Sequence, residues 1–242
     1  MTPFNAEVIH RLRMSSRPVM FTTGVKETPC AIAGTAFLVG FRKHLYLVTA
    51  AHVTKGAESS LFVLPREDAA KPLHFTRWWP VQVFQDDQLD SEASDISTVR
   101  IDLKKIPRTD RENSHVINLN GLKDWFETRL IADFFLCGYP KMENSIDYVR
   151  REVNTAQYFL VGRYSRPNRH SSSTYQLQIE NPLGLTDFDG LSGSPVFSVS
   201  PLNNNSAPKF CGMALRGSAQ SNIVHFLEAD AIVRTLAEVE KD

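Results

Sequence analysis

Short apolar runs alternate with polar breaks rich in proline, glycine and asparagine along most of this chain. In the first half the runs are Gly34 to Val39, Leu45 to Thr49, Leu61 to Leu64, Val81 to Phe84 and Ile96 to Ile101. Runs of about four to eight residues, enriched in β-branched and aromatic side chains and bounded by turn formers, predict strands. A second series follows at Phe134 to Cys137, Tyr158 to Val161, Thr174 to Ile179, Val196 to Val199, Phe210 to Leu215 and Ile223 to Leu227. The polar stretch from Asp102 to about Leu122, with Lys104-Lys105, Pro107, Asp110-Arg111-Glu112-Asn113 and Asn120-Gly121, predicts a connection between two strand-built units.

Only the ends carry a helical period. Phe4, Val8, Ile9 and Leu12 recur at helical spacing within Pro3 to Met14, and Ala231, Ile232, Leu236 and Val239 do so between Glu228 and Glu240. The N-terminal helix is expected to be a packing accessory. The segment Arg163 to Ser173, rich in Arg, Asn, His and Ser, predicts a mobile loop close to the functional site, or else a plain surface loop.

Composition narrows the functional classes. The 242 residues are 42% hydrophobic and 22% charged, which is ordinary for a globular protein. There are 27 basic and 27 acidic side chains, and no Lys/Arg cluster is interleaved with aromatics, so neither nucleic acid nor a membrane is an expected partner. Cys30, Cys137 and Cys211 are too few and too scattered for a disulfide framework, and none forms a C-x-x-C pair for zinc. No run approaches the ~20 apolar residues of a membrane helix. The stretch after Arg11, Arg13 and Arg17 is too short and polar for a signal-peptide core. A soluble, cytoplasmic protein with no metal and no cofactor is expected.

The chemistry concentrates in Asp189-Gly190-Leu191-Ser192-Gly193-Ser194-Pro195-Val196-Phe197. Glycines on both sides of Ser192 permit a tight turn that aims backbone N–H groups at a reacting carbonyl oxygen, while Pro195 to Phe197 resume extended structure. A serine hydroxyl needs a histidine base and a carboxylate to orient that base. His52 follows Leu45 to Thr49 through Ala50-Ala51, and Asp95 opens the run Ile96 to Ile101. Asp102 leaves that run into the polar connection, so Asp95 is the preferred acid. His44 precedes the strand that His52 follows and reads as a turn residue. The G-x-S-x-G elbow of α/β-hydrolases is a poor alternative, because Ser194 replaces the last glycine and the chain order here is His, Asp, Ser.

Thr49-Ala50-Ala51-His52, Asp95-Ile96 and Gly190-Leu191-Ser192-Gly193-Ser194-Pro195 together resemble the trypsin/chymotrypsin-like serine peptidases, in their bacterial, disulfide-free branch. Cys137-Gly138-Tyr139-Pro140 and Gly212-Met213-Ala214 add weaker matches, and the likeness runs from about Cys30 to the C-terminus. Separations of 43 and 97 residues between the three site residues suit that family.

The resemblance implies an all-β fold of two antiparallel six-stranded β-barrels of the chymotrypsin type, with a short N-terminal helix and a C-terminal helix. The expected division is a helical extension over 1–24, a first barrel carrying His and Asp over 25–103, a connection over 104–129, and a second barrel carrying Ser over 130–242. It implies a serine endopeptidase in which His52 is the base, Asp95 orients it, Ser192 attacks, and the N–H groups of Gly190 and Ser192 form the oxyanion hole. Ser194 occupies a position where many members carry a second glycine. Thr186 would lie near the base of the substrate pocket, with Leu215, Arg216 and Gly217 along its wall and the substrate-pairing edge. Arg216 there would favour acidic or polar side chains, Asp187 and Asp189 basic ones, although the preferred reading of these charges is of loop residues facing water.

One departure bears on activation. Digestive members carry an aspartate before the nucleophile, which pairs with a newly cut N-terminus; here Leu191 stands there and cannot make that ion pair. Either the site is permanently formed, or a substrate or regulatory protein partner orders it. Beside the endopeptidase stand two other readings: a catalytically inactive module that holds peptides in the same cleft, and a latent effector awaiting a partner.

Overall fold

The computed structural model describes residues 6–27, 30–55, 61–63, 73–74, 79–80, 92–101, 115–143, 145–147, 150, 152–201 and 207–241. The N-terminal helix α1 covers Ala6–Met14, within the predicted stretch. It is followed by β1 (Ser16–Thr22), β2 (Cys30–Phe41), β3 (His44–Thr49), the single turn α2 (Ala51–Thr54), β4 (Leu61–Val63), β5 (Leu73–His74), β6 (Trp79–Pro80), β7 (Ser97–Ile101) and β8 (Ile117–Asn118). The expected strand Val81 to Phe84 lies outside the described residues.

These strands form one sheet in the order β5-β4-β1-β2-β3-β7-β6, with β8 added parallel to β2. The sheet does not close among the described residues. The segment 1–24 differs from the helical extension expected of it, since Ser16–Thr22 pairs with both β2 and β4. Arg17 and Pro18 break the apolar run there and hide the strand in the sequence, yet Ser16 to Met20 are all buried. The connection expected over 104–129 contributes β8 to the sheet and a 3₁₀ turn at Phe126–Thr128.

The second half follows its apolar pattern closely. β9 (Asp133–Gly138), β12 (Tyr158–Pro167), β13 (Thr174–Ile179), β14 (Pro195–Val199), β15 (Lys209–Ser218) and β16 (Ile223–Glu228) close into a six-stranded antiparallel barrel in the order β12-β13-β16-β15-β14-β9. A small hairpin of β10 (Ser145–Asp147) and β11 (Glu152–Asn154) stands outside it. Arg163 to Pro167, expected in a loop, continue β12 and pair with β13. Each of the six strands pairs with a neighbour on both sides, so closure leaves only short stretches of free sheet edge.

Among the described residues two large apolar clusters hold the fold together, beside a small third around Met20 and Ile32. One fills the closed barrel around Phe134, Leu136, Leu160, Leu177, Val196 and Phe226. The other is continuous from the first sheet (Phe37, Tyr46, Val48) through the outer wall of the barrel (Phe135, Phe197, Phe210) to the C-terminal helix α3 (Ala229–Val239). Helix α3 buries Ala231, Ile232, Thr235 and Leu236, the side its helical period marks out. Each fully buried Phe or Leu contributes about 1.5–3 kcal/mol against exposure, so this shared cluster fixes the two halves against each other.

Candidate active site

Strand pairing places His52 beside Asp95. β3 and β7 run antiparallel with Thr49 opposite Ser97, so the turn after β3 and the loop before β7 emerge at the same end of the sheet. The backbone N–H of Ala51 donates to the Asp95 carbonyl at 3.2 Å. Asp95 then uses both carboxylate oxygens on His52: Oδ1 accepts the His52 backbone N–H at 2.9 Å, and Oδ2 lies 2.6 Å from ring Nδ1. A carboxylate in this contact accepts, so Nδ1 carries a proton and Nε2 is the ring nitrogen left for another partner.

The turn carrying Ser192 is shaped by its glycines. Gly190 and Gly193 have φ of +88° and +85°, in the left-handed region that suits glycine. A Cβ on Gly190 would lie 2.5 Å from the Tyr139 carbonyl oxygen, and one on Gly193 would fall on the carbonyl oxygen of Thr35. Ser192 is partly buried, whereas Ser194 is fully buried with its Oγ turned toward Gly138. Ser192 is therefore the hydroxyl within reach of a substrate. Its Oγ donates to the Leu215 carbonyl at 2.6 Å and is not hydrogen-bonded to His52. Rotation about its Cα–Cβ bond would release it.

Around Ser192 the backbone N–H groups divide into two sets. Those of Leu191, Gly193 and Ser194 donate to the carbonyls of Phe188, Ala214 and Leu191, and that of Asp189 donates to the Asp187 carboxylate. The N–H groups of Gly190 and Ser192 have no acceptor among the described residues. The Asp189 carbonyl accepts the Lys141 N–H at 2.7 Å; in a trans peptide the next N–H, that of Gly190, points the opposite way. Two unclaimed donors beside a serine hydroxyl suit the stabilisation of a developing oxyanion.

Thr35 ties this turn to the first sheet. Its N–H donates to the Ser192 carbonyl at 2.9 Å, its Oγ1 donates to the Gly190 carbonyl at 2.8 Å and accepts the Tyr139 N–H at 3.0 Å, and its carbonyl accepts Thr49 Oγ1 at 2.6 Å. No motif marks Thr35; its one sequence signal is a hydroxyl inside the apolar run Ala31 to Val39, buried completely.

Glu92 performs a matching function on the acid side. Its carbonyl accepts the Asp95 N–H at 3.2 Å, while its carboxylate accepts Asn168 Nδ2 at 2.6 Å and Thr174 Oγ1 at 2.8 Å and pairs with Arg216. Burial would raise its pKa, but the Thr174 hydrogen bond and the Arg216 charge outweigh that, and the carboxyl is held below its ordinary value. Nothing in the sequence pattern pointed to Glu92.

The expected substrate-binding residues divide. Leu215 is buried, and its carbonyl holds Ser192. Arg216 is committed to Glu92, so it is not a free cation awaiting an acidic side chain. Gly217 packs against Phe188. Thr186 is exposed, its hydroxyl 3.5 Å from Met142 Sδ, and no contact joins it to Ser192. Asp187 and Asp189 are exposed loop residues. β14 pairs with β15 only as far as Pro195 opposite Met213, and the Ala214 N–H donates to the Ser194 carbonyl; beyond that point, among the described strands, the Leu215–Ser218 stretch has β16 alone beside it. This leaves an open strand edge next to Ser192, the geometry that accepts an extended peptide as an added strand.

Leu191, at the position where an aspartate would mark cleavage-dependent activation, is 2% exposed and lies in the apolar cluster of the closed barrel. The thiols offer no rival nucleophile: burial raises the pKa of Cys30 and Cys211, and Cys137 is fully buried. Among the described residues no group of three or more His, Cys, Asp and Glu side chains could hold a metal ion, and no helix is long and apolar enough to cross a membrane. No protein-family model and no curated protein matches this chain.

Proposed function

We propose that the chain is a serine endopeptidase of the trypsin/chymotrypsin-like type, in its disulfide-free branch, acting on peptide or protein substrates. The observation that carries the proposal is a histidine oriented by a carboxylate, on a segment whose Val53 meets the Ser192 turn across Gly34, together with a partly buried Ser192 flanked by two backbone donors that have no acceptor among the described residues. His52 Nε2 takes the proton from Ser192 Oγ as the oxygen attacks the scissile carbonyl carbon. The N–H groups of Gly190 and Ser192 receive the carbonyl oxygen as it becomes an oxyanion, and Asp95 stabilises the imidazolium through Nδ1. Collapse of the tetrahedral species breaks the C–N bond, and the amine leaves with the proton from His52. Water, activated by the same histidine, then releases the acid and regenerates the serine. On this reading the first sheet, which does not close among the described residues, is the counterpart of the closed barrel in a two-barrel enzyme, and three cysteines that form no disulfide favour a cytoplasmic setting.

A second reading rests on the Ser192 hydroxyl bonded to Leu215 instead of His52. In it the protein is latent, and a substrate strand or a regulatory partner on the Leu215–Ser218 edge frees the hydroxyl.

Incubation with a fluorophosphonate, with the adduct located by mass spectrometry, tests both. Labelling of Ser192 in the wild type, retained in Ser194→Ala and lost in Ser192→Ala, supports the endopeptidase. Folded protein that labels only once a peptide or partner is added supports the latent form, and absence of labelling under every condition sinks both.

A further inference from the structure

We infer that the site acts on peptide bonds that follow a small residue, glycine, alanine or serine, because Phe188 fills the space that a larger side chain would need. This rests on the peptidase reading above and names its substrate class.

A peptide added along the open edge Leu215–Ser218 places the residue to be acylated against Ser192, whose Oγ lies 2.6 Å from the Leu215 carbonyl. One side of that edge is taken. Leu215 packs into the cluster shared with the first sheet, and Arg216 turns to Glu92, three residues before the Asp95 that holds His52. His52 must also stand on that side to reach the hydroxyl. The side chain of the acylated residue is thereby directed to the other side, toward the mouth of the closed barrel, which the absent side chain of Gly217 faces.

That mouth is packed. A Cβ built on Gly217 would lie 2.7 Å from Phe188 Cδ2, 3.1 Å from Val224 Cγ2 and 3.1 Å from the Ile223 carbonyl oxygen. Phe188 is 4% exposed and Val224 1%. The Phe188 ring is therefore wedged between the two segments that flank Ser192, its own and that of Gly217, with its carbonyl accepting the Leu191 N–H at 3.1 Å. Glycine at 217 is required by this ring, since any side chain there would collide with it. A methyl or hydroxymethyl group fits above such a floor, whereas an aromatic or long basic side chain needs the ring to leave an apolar cluster.

The test uses peptidyl diphenyl phosphonates that differ only in the residue mimicking the acylated position (Ala, Val, Phe or Lys), beside a fluorophosphonate that has no such side chain. Ser192 labelling faster for Ala than for Phe or Lys by about 100-fold is expected, since one methylene in a fitted pocket already discriminates about 10–200-fold. Phe188→Ala should raise the rates for Val and Phe relative to Ala; should that variant fold poorly, the milder Phe188→Leu and the wild-type ranking carry the test. Fluorophosphonate labelling with equal or faster reaction of the Phe or Lys reagent overturns the inference and leaves the peptidase reading standing. Absence of labelling by every reagent removes both.

Discussion

Glu92 and Arg216 form an ion pair between the loop that carries Asp95 and the strand whose edge adjoins Ser192. The carboxylate is anchored on the barrel by Asn168 and Thr174 as well, and the same residue's carbonyl receives the Asp95 N–H. The acid that orients His52 is thus positioned by contacts with the barrel that carries Ser192.

Glu92→Gln should therefore slow Ser192 labelling about 10- to 100-fold without removing any group that touches substrate, because small displacements of catalytic groups cost rate on that scale. The double variant Glu92→Gln/Arg216→Gln should match the single variant in rate, because the half-exposed Arg216 acts on Asp95 only through Glu92. A single variant that labels at the wild-type rate would show that the clamp has no positioning role.

The same carboxyl should leave a mark on stability against pH. Its folded pKa is depressed, so its contribution is fully present above the ordinary carboxylate value near 4.5 and is lost as pH falls through the folded value. Urea denaturation between about pH 6 and pH 3 should then give a shallower acid decline in Glu92→Gln than in the wild type. Parallel curves would contradict the assignment.

Thr35→Val keeps the shape of the side chain and removes the hydroxyl that joins the Gly190 carbonyl to the Tyr139 N–H. Leaving those two groups without their partner should cost about 1–3 kcal/mol in chemical denaturation. It should also slow Ser192 labelling, since Gly190 carries one of the two backbone donors without an acceptor beside Ser192 among the described residues. Lost stability with an unchanged labelling rate would make Thr35 a packing residue alone.

Gly193→Ala places a methyl on the Thr35 carbonyl in a left-handed backbone conformation. The turn must shift, and labelling of Ser192 should fall below detection while far-UV circular dichroism stays that of a β protein. Retained labelling would mean that the turn tolerates a rearrangement the geometry does not permit.

Asp95→Asn preserves the size of the acid but removes the charge facing His52 Nδ1, leaving the ring free to adopt the other tautomer. A loss of roughly 10⁴-fold in turnover on a peptide substrate is expected. A loss under about 10-fold would assign the orienting role elsewhere.

Period and punctuation carried the strands of the closed barrel, because each of those segments buries its apolar side chains and ends in turn formers. Helix α3 was legible for the same reason, in its 3.6-residue spacing. β1 was not, because the buried Arg17 and Pro18 made a core strand look like a polar extension. At the site, the glycine turn and the order of His52, Asp95 and Ser192 could be read locally, since Gly190 and Gly193 combine a left-handed backbone with a close approach to the Tyr139 and Thr35 carbonyls that leaves no room for a side chain. The pairing of β3 with β7 then set His52 on Asp95 across 43 residues. Thr35, Glu92 and Phe188 carry no such local signature. Their roles arise from distant backbone and side-chain atoms that meet only when two sheets pack together, and for that reason Arg216, which looks in the chain like a free specificity cation, is spent on Glu92 in the fold.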